Sequence, residues 1–242
     1  MNWASDWRYL LTEHPNLDLL QDTAAKLRPL LREIVFVGGC ATGLLITDPG
    51  AAEVRRTYDV DVIAETASYG DYMLFSERLR ALGFQEDMSE GAPLCRWQHE
   101  SLILDVMPLD EGILGFSNRW YADALHTASE VQMPNGLIIR LISAPYFLGT
   151  KMEAFRGRGH GDYFASHDLE DLVTVVDGRP SLLVEVQASE SRLRAYLGEA
   201  VAMLLSEPRF LDALPGFLPP DAANQARIRQ LTRNLSELSR LR

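Results

Sequence analysis

Cysteine is scarce in this chain: Cys40 and Cys95 are all that 242 residues hold. They make neither a CxxC metal pair nor a disulfide framework, which excludes a disulfide-stapled secreted module and argues against a structural zinc. Long apolar runs are missing too, and nothing approaches the roughly 20 residues that a membrane span needs. The opening residues, with Asp6, Arg8 and Glu13 among apolar neighbours, lack the layout of a signal peptide. The cytoplasm is therefore the expected compartment, with no membrane partner. Positive charge is also short, at 23 Lys and Arg against 34 Asp and Glu, a formal net charge of -11. A surface coated with positive charge for tracking nucleic acid is excluded, because phosphate binding draws on Lys and Arg. Any nucleic-acid contact must be local.

What is present suits an ordinary globular protein, since 47% of residues are hydrophobic and 24% charged, enough for a sizeable core. Two domains are expected, 1–142 and 143–242. Leu17 to Glu33 places apolar residues at three- and four-residue steps and predicts a helix, kinked or shortened by Pro29. Ile34-Val35-Phe36-Val37 predicts a strand, broken by Gly38-Gly39 before a helix from Cys40 to Leu45. Further strands are expected at Tyr58–Ile63, Pro93–His99 and Leu102–Met107, with a helix over Tyr72–Leu82 and a hairpin turning at Asn135-Gly136. From Ser143 the pattern becomes helical. Helices are expected to Phe155, over Asp168–Val176 with Ser166 as cap, and over Ser191–Leu205. The proline-rich Leu214–Pro220 reads as a linker to a basic tail. Residues 221–242 hold five arginines and two acids, a net +3 that leaves -14 on the rest.

Three features carry chemistry. Asp59-x-Asp61 puts two carboxylates on one face of a strand, where their repulsion is relieved by a hard cation such as Mg²⁺ or Mn²⁺. A solvent-facing sheet edge accounts for a bare DxD as well. Asp105 stands inside the apolar run Leu102–Met107, where an unpaired buried charge would cost several kcal/mol. It needs a partner, either a metal or one of the arginines. Val37-Gly38-Gly39-Cys40-Ala41-Thr42 offers a glycine turn at a helix N-terminus, which suits a phosphate or a plain tight turn. A dinucleotide-binding turn fits less well, because the glycines do not make G-x-G-x-x-G.

Taken in order, Gly38-Gly39, Arg55-x-Thr57-x-Asp59-x-Asp61 and the single strand acid Asp105 resemble the core of polymerase-beta-type nucleotidyltransferases. That superfamily pairs a Gly-Gly or Gly-Ser turn with a DxD and a distant third acid. In the second half, Lys151-Met-Glu-Ala-Phe-Arg156 resembles the K-x4-R motif of the AbiEii/AbiGii-type toxin-like branch. Asp168-Leu-Glu-Asp171 resembles the D-x-x-D that follows it. The four signals together span a little over half of the chain.

The resemblance implies an α/β fold, mixed α+β, with a small mixed sheet flanked by helices and then a helical C-terminal domain. It implies transfer of a nucleoside monophosphate from an NTP to an acceptor hydroxyl of tRNA or protein, with Mg²⁺ or Mn²⁺ as cofactor. The setting it suggests is a toxin–antitoxin or phage-defence system, with an antitoxin as partner. Asp59, Asp61 and Asp105 would hold metal, and Asp105 would also help deprotonate the acceptor. Gly38, Gly39 and Cys40 would cradle phosphates, Lys151 would counter the triphosphate's charge, and Thr42, Arg55, Thr57, Arg156, Asp168 and Asp171 would complete the nucleotide site. Arg156, five residues from Lys151, lies about 140° round a helix, so the two need not face one pocket. Cys40 stands where many members have serine, so a hydroxyl contact to phosphate is lost or moves to Thr42. A small-molecule acceptor, and a catalytically idle nucleotide- or partner-binding protein, are the alternatives. The loop Arg156-Gly-Arg158-Gly-His160-Gly161-Asp162 reads as a connection or a closing loop, with His160 and His167 as ordinary surface residues.

Overall fold

The apolar, β-rich run Ile34-Val-Phe-Val forms strand β1 (Ile34–Val37), buried along its whole length. The computed structural model describes residues 14–159 and 161–241. Asp6, Arg8, Glu13 and His160, named above, and Arg242, one of the five arginines of 221–242, lie outside the described residues. Six further strands follow: β2 (Asp59–Ala64), β3 (Gln85–Glu86), β4 (Arg96–His99), β5 (Leu102–Met107), β6 (Ser129–Gln132) and β7 (Ile138–Leu141). They form one mixed sheet in the order β3-β4-β5-β2-β1-β7-β6. β2 runs antiparallel to β1 and parallel to β5, and β1 runs parallel to β7. The central strands are the most apolar because both their faces are covered: Val60, Val62, Ile63, Leu104 and Val106 are all buried. The hairpin β6–β7 turns where Asn135-Gly136 predicts it, with Gly136 at φ 84°.

Helix α1 (Leu17–Lys26) packs on β2 and β5. Pro29 ends the predicted helix early and sits in a 3-10 turn, Arg28–Leu30, because its ring fixes φ and it has no N–H to give. Helix α2 (Gly38–Leu45) follows β1 directly, and α3 (Tyr69–Ala81) is capped by Ser68, whose side chain accepts from the Asp71 N–H. Two short helices, α4 (Glu111–Leu114) and α5 (Tyr121–His126), complete this part. Trp97 and Trp120 are core residues, 1% and 0% exposed.

The chain divides into two units. One takes the residues up to Ala41 and Arg55–Ser143; the other takes Thr42–Val54 and Ala144–Arg242. The segment 42–54, placed by sequence in the first domain, therefore belongs with the second unit. There the Thr47 and Asp48 N–H groups both donate to the Gly178 carbonyl, at 2.9 and 3.0 Å. From Ala144 onward every described element is helical: α6 (Ala144–Arg158), α7 (His167–Gly178), α8 (Leu182–Ala188), α9 (Ser191–Leu205), α10 (Pro208–Ala213) and α11 (Ala222–Leu238), with a 3-10 turn at Leu214–Phe217. The chain is thus mixed α/β. No helix among the described residues is long and apolar enough to cross a membrane.

Two expectations need correction here. The proline-rich stretch is not a loose linker, because Leu214 and Leu218 are buried and its prolines suit a tight turn. Nor are residues 222–238 merely a basic tail. Leu231, Leu235 and Leu238 recur on one face of α11 and are buried. Arg227 clamps that helix down: its Nε donates to Asp177 Oδ2 at 2.8 Å, its Nη2 to Asp48 Oδ2 at 2.6 Å and its Nη1 to the Gly50 carbonyl at 3.0 Å.

Candidate functional site

Strand pairing brings the predicted acids of the first unit together. In register, Val37 of β1 pairs with Asp61 of β2, Asp61 with Asp105 of β5, and Asp105 with Arg96 of β4. Paired residues on neighbouring strands point to the same face, so these four make one row across the sheet. Asp59, two residues before Asp61, shares that face. Three carboxylates in so small a space repel one another, and the fold answers with Arg96. Its Nε donates to Asp105 Oδ1 at 2.8 Å, and its Nη2 donates both to Asp105 Oδ2 at 2.8 Å and to Asp59 Oδ2 at 3.1 Å. The paired fork on Asp105 is the geometry that suits guanidinium and carboxylate best. Asp105 is 5% exposed, so this pairing relieves a charge that water hardly reaches. The hydrogen bond to Asp105 raises the Arg96 pKa further above its already high value. The cluster's field also reaches Cys95, whose thiol is pushed up to about 12, first by burial and then by the charges of Asp105 and Asp61.

The glycine turn is shaped by this cluster. Gly38 has φ +69°, and a Cβ there would lie 1.8 Å from Asp61 Oδ2, so the acid fills the space a side chain would take. A Cβ on Gly39 would lie 2.3 Å from Arg55 Nη2 and 2.9 Å from Thr57 Cγ2. Glycine at both positions thus lets Asp61 and Arg55 close onto the start of α2, where the first N–H groups have no helical partner. Cys40 turns away from any ligand: it is fully buried, and its Sγ donates to the Val37 carbonyl at 3.2 Å. Thr42 is 1% exposed, and its hydroxyl meets no hydrogen-bond partner among the described residues.

The loop that delivers Arg55 and Thr57 is pinned by Asn16, which is fully buried. Its Nδ2 donates to the Arg55 carbonyl at 3.0 Å, and its Oδ1 accepts from the Thr57 N–H at 2.9 Å. The Asn16 N–H in turn donates to His14 Nδ1 at 2.9 Å. Burial drives the His14 pKa down to about 4, which keeps that nitrogen a neutral acceptor.

In the second unit Lys151 is 6% exposed, and its Nζ lies 3.2 Å from Asp168 Oδ1 and 2.6 Å from Asp171 Oδ2. The two acids stand one helical turn apart on α7 and face α6 together. Arg158, not Arg156, completes the group, donating through Nε and Nη2 to the two oxygens of Asp168 at 3.0 and 2.9 Å. Burial works against the charge on Asp168, but the Arg158 hydrogen bonds and the Lys151 charge outweigh it, so its pKa is lowered. Arg156 points elsewhere: it lies over the Tyr196 ring at 5.0 Å and reaches Met203 Sδ at 3.4 Å. Five residues of helix separate its direction from that of Lys151.

No family model and no curated protein matches this chain. The site is therefore read from its own geometry. Magnesium or manganese is the cation its resemblance implies, and the donor set fits in part. Asp59 and Asp61 carry carboxylate oxygens on one face, the ligands hard cations take. Asp105 gives both of its oxygens to Arg96. Among the described residues no three His, Cys, Asp or Glu side chains converge closely enough to hold an ion by themselves. Arg96, Asn16 and Arg158 are site residues that motif reading did not assign. The need of Asp105 for a metal or an arginine left open which arginine it would be, and nothing in the spacing of Asn16 marks it.

Proposed function

We propose that this chain is a polymerase-beta-type nucleotidyltransferase of the AbiEii/AbiGii-like branch, moving a nucleoside monophosphate from an NTP to an acceptor hydroxyl. The observation that carries the reading is the row of Asp61 and Asp105, with Asp59 on the same face, beside the Gly38-Gly39 turn at the start of α2. In the reaction the acceptor oxygen bonds to the α-phosphorus, the α–β bridge breaks, pyrophosphate leaves with the electron pair, and the hydroxyl proton passes to solvent. Catalysis of this kind is mostly positioning and electrostatic stabilisation. The N–H groups at the start of α2 and the guanidinium of Arg55 are of the kind that suits phosphate oxygens. Asp59 and Asp61 would hold Mg²⁺, which neutralises charge on the phosphates and acidifies the acceptor. Asp105 keeps Arg96 in place at the end of the row.

The acceptor is the hydroxyl of a tRNA or of a protein, in a toxin or defence setting with an antitoxin partner. Arg227 is committed to Asp48 and Asp177, so the basic residues that remain exposed are Arg229 and Arg233 on α11 and Arg240 just after it. An RNA acceptor then predicts activity that falls steeply with salt. The test is incubation with each labelled NTP, Mg²⁺ and a cell extract. Label at RNA size, at protein size or in the small-molecule fraction names the acceptor class, and its loss in Asp61→Ala assigns it to this site. Label in no fraction refutes transfer. A second reading, a nucleotide-binding protein without turnover, draws on Arg96 holding the third acid, and predicts NTP binding with no label transferred.

A further inference from the structure

We propose that Arg96 is a resident cation standing where a second metal ion would otherwise sit, so that the site takes up one divalent cation and not two. The proposal rests on the nucleotidyltransferase reading above. Its basis is the position of a single nitrogen. Arg96 Nη2 bridges Asp105 Oδ2 at 2.8 Å and Asp59 Oδ2 at 3.1 Å, one oxygen from each of the two acids that would otherwise share an ion. The Nε bond to Asp105 Oδ1, at 2.8 Å, engages the remaining oxygen of that carboxylate. A guanidinium cannot lose its proton in a protein, so this charge is permanent.

Arg96 is also fixed in place. Its N–H donates to the Pro93 carbonyl at 3.0 Å, its own carbonyl accepts from the Asp87 N–H at 3.0 Å, and its side chain is 23% exposed. Its backbone is therefore built into the sheet, and its guanidinium is held by the three bonds to Asp105 and Asp59. Asp61 stands one strand further from Arg96 than Asp105 does, against Gly38, and with Asp59 it marks where the one divalent cation goes.

The test is a Mn²⁺ titration of the full chain, with free Mn²⁺ read from its electron paramagnetic resonance signal and folding checked by circular dichroism. The wild type is expected to bind one Mn²⁺ per chain, and Arg96→Gln two. Two ions in the wild type overturn the proposal and leave the transferase reading standing. A folded Arg96→Gln that still binds one overturns it as well. Should Arg96→Gln fail to fold with Asp105 uncompensated, the double variant Arg96→Gln/Asp105→Asn removes both charges. It is expected to bind one Mn²⁺ with an affinity loss no greater than the roughly 10–100-fold that an outer partner carries. Complete loss of binding there makes Asp105 a ligand and overturns the proposal. No Mn²⁺ on any variant overturns both the proposal and the reading beneath it.

Discussion

Replacing Lys151 by methionine keeps a long, flexible side chain and removes its charge from between two buried carboxylates. In the native protein the side chains of Lys151, Asp168 and Asp171 are 7%, 8% and 2% exposed, so none of the three charges can fall back on water. Removing one partner of a buried ion pair costs about 3–5 kcal/mol, because the other is left uncompensated. Arg158 keeps hold of Asp168, but its side chain is 70% exposed, which screens its help, and the Lys151 contact to Asp171 is lost outright. The expected destabilisation is therefore about 3 kcal/mol or more, a large share of the roughly 5–15 kcal/mol that holds a typical domain together. Guanidinium unfolding followed by far-ultraviolet circular dichroism reads it as a fall in midpoint. Lys151→Met/Asp171→Asn should recover part of the loss, since it removes the stranded carboxylate too. The pH dependence has a defined sign. Asp168 has a folded pKa below its ordinary 3.8, so its contribution is complete above that value and is lost as the pH falls from 3.8 toward the folded value. Lys151→Met should raise the folded pKa and move acid unfolding to higher pH. A variant within about 1 kcal/mol of wild type, with an unchanged acid limb, would refute the reasoning.

Gly38→Ala forces a Cβ into the left-handed region at a cost of about 1–2 kcal/mol and drives it onto Asp61, so both the melting temperature and Mn²⁺ affinity should fall; wild-type values for both contradict the placement of Asp61. Asn16→Ala strands the buried Thr57 N–H, at about 1–3 kcal/mol, and takes a donor from the half-buried Arg55 carbonyl, and hydrogen exchange at residues 55–57 should speed up; unchanged protection there rules out the pinning role. Arg227→Met leaves Asp177, whose side chain is 4% exposed, without its guanidinium, and should cost about 3 kcal/mol in unfolding experiments. Burial already pushes the Asp177 pKa up against the pull of Arg227, so the Arg227→Met loss should shrink at acid pH as Asp177 takes a proton. A pH-independent loss would mean that packing, and not charge, holds α11.

Elements with a strong local signal were legible residue by residue. β1 carries an unbroken apolar run, β5 one interrupted only by Asp105, and α9 a clear 3.6-residue period, and the structure forms them where those patterns stand. The Asn135-Gly136 turn and the Ser166 cap are read just as directly, because their chemistry is contained within four residues. The stretches that failed are those whose local pattern is overruled by packing. Three prolines suggest a linker at 214–220, yet Leu214 and Leu218 are drawn into the core. Five arginines suggest a basic tail, yet an apolar stripe and the Arg227 clamp on Asp177 make most of it a packed helix.

For the site, strand alternation alone puts Asp59 and Asp61 on one face, and the helix period alone puts Asp168 and Asp171 on another. Such relations depend only on backbone geometry, so the sequence by itself determines them. Which charge meets which is decided by tertiary structure. Arg96 and Asp105 meet because β4 and β5 pair in one register, and a shift of a single residue would turn Arg96 to the opposite face. Asn16 reaches Thr57 across 41 residues, and Arg227 reaches Asp48 across 179. No periodicity encodes those distances. Burial makes the partners necessary, and only the folded chain shows which residues supply them.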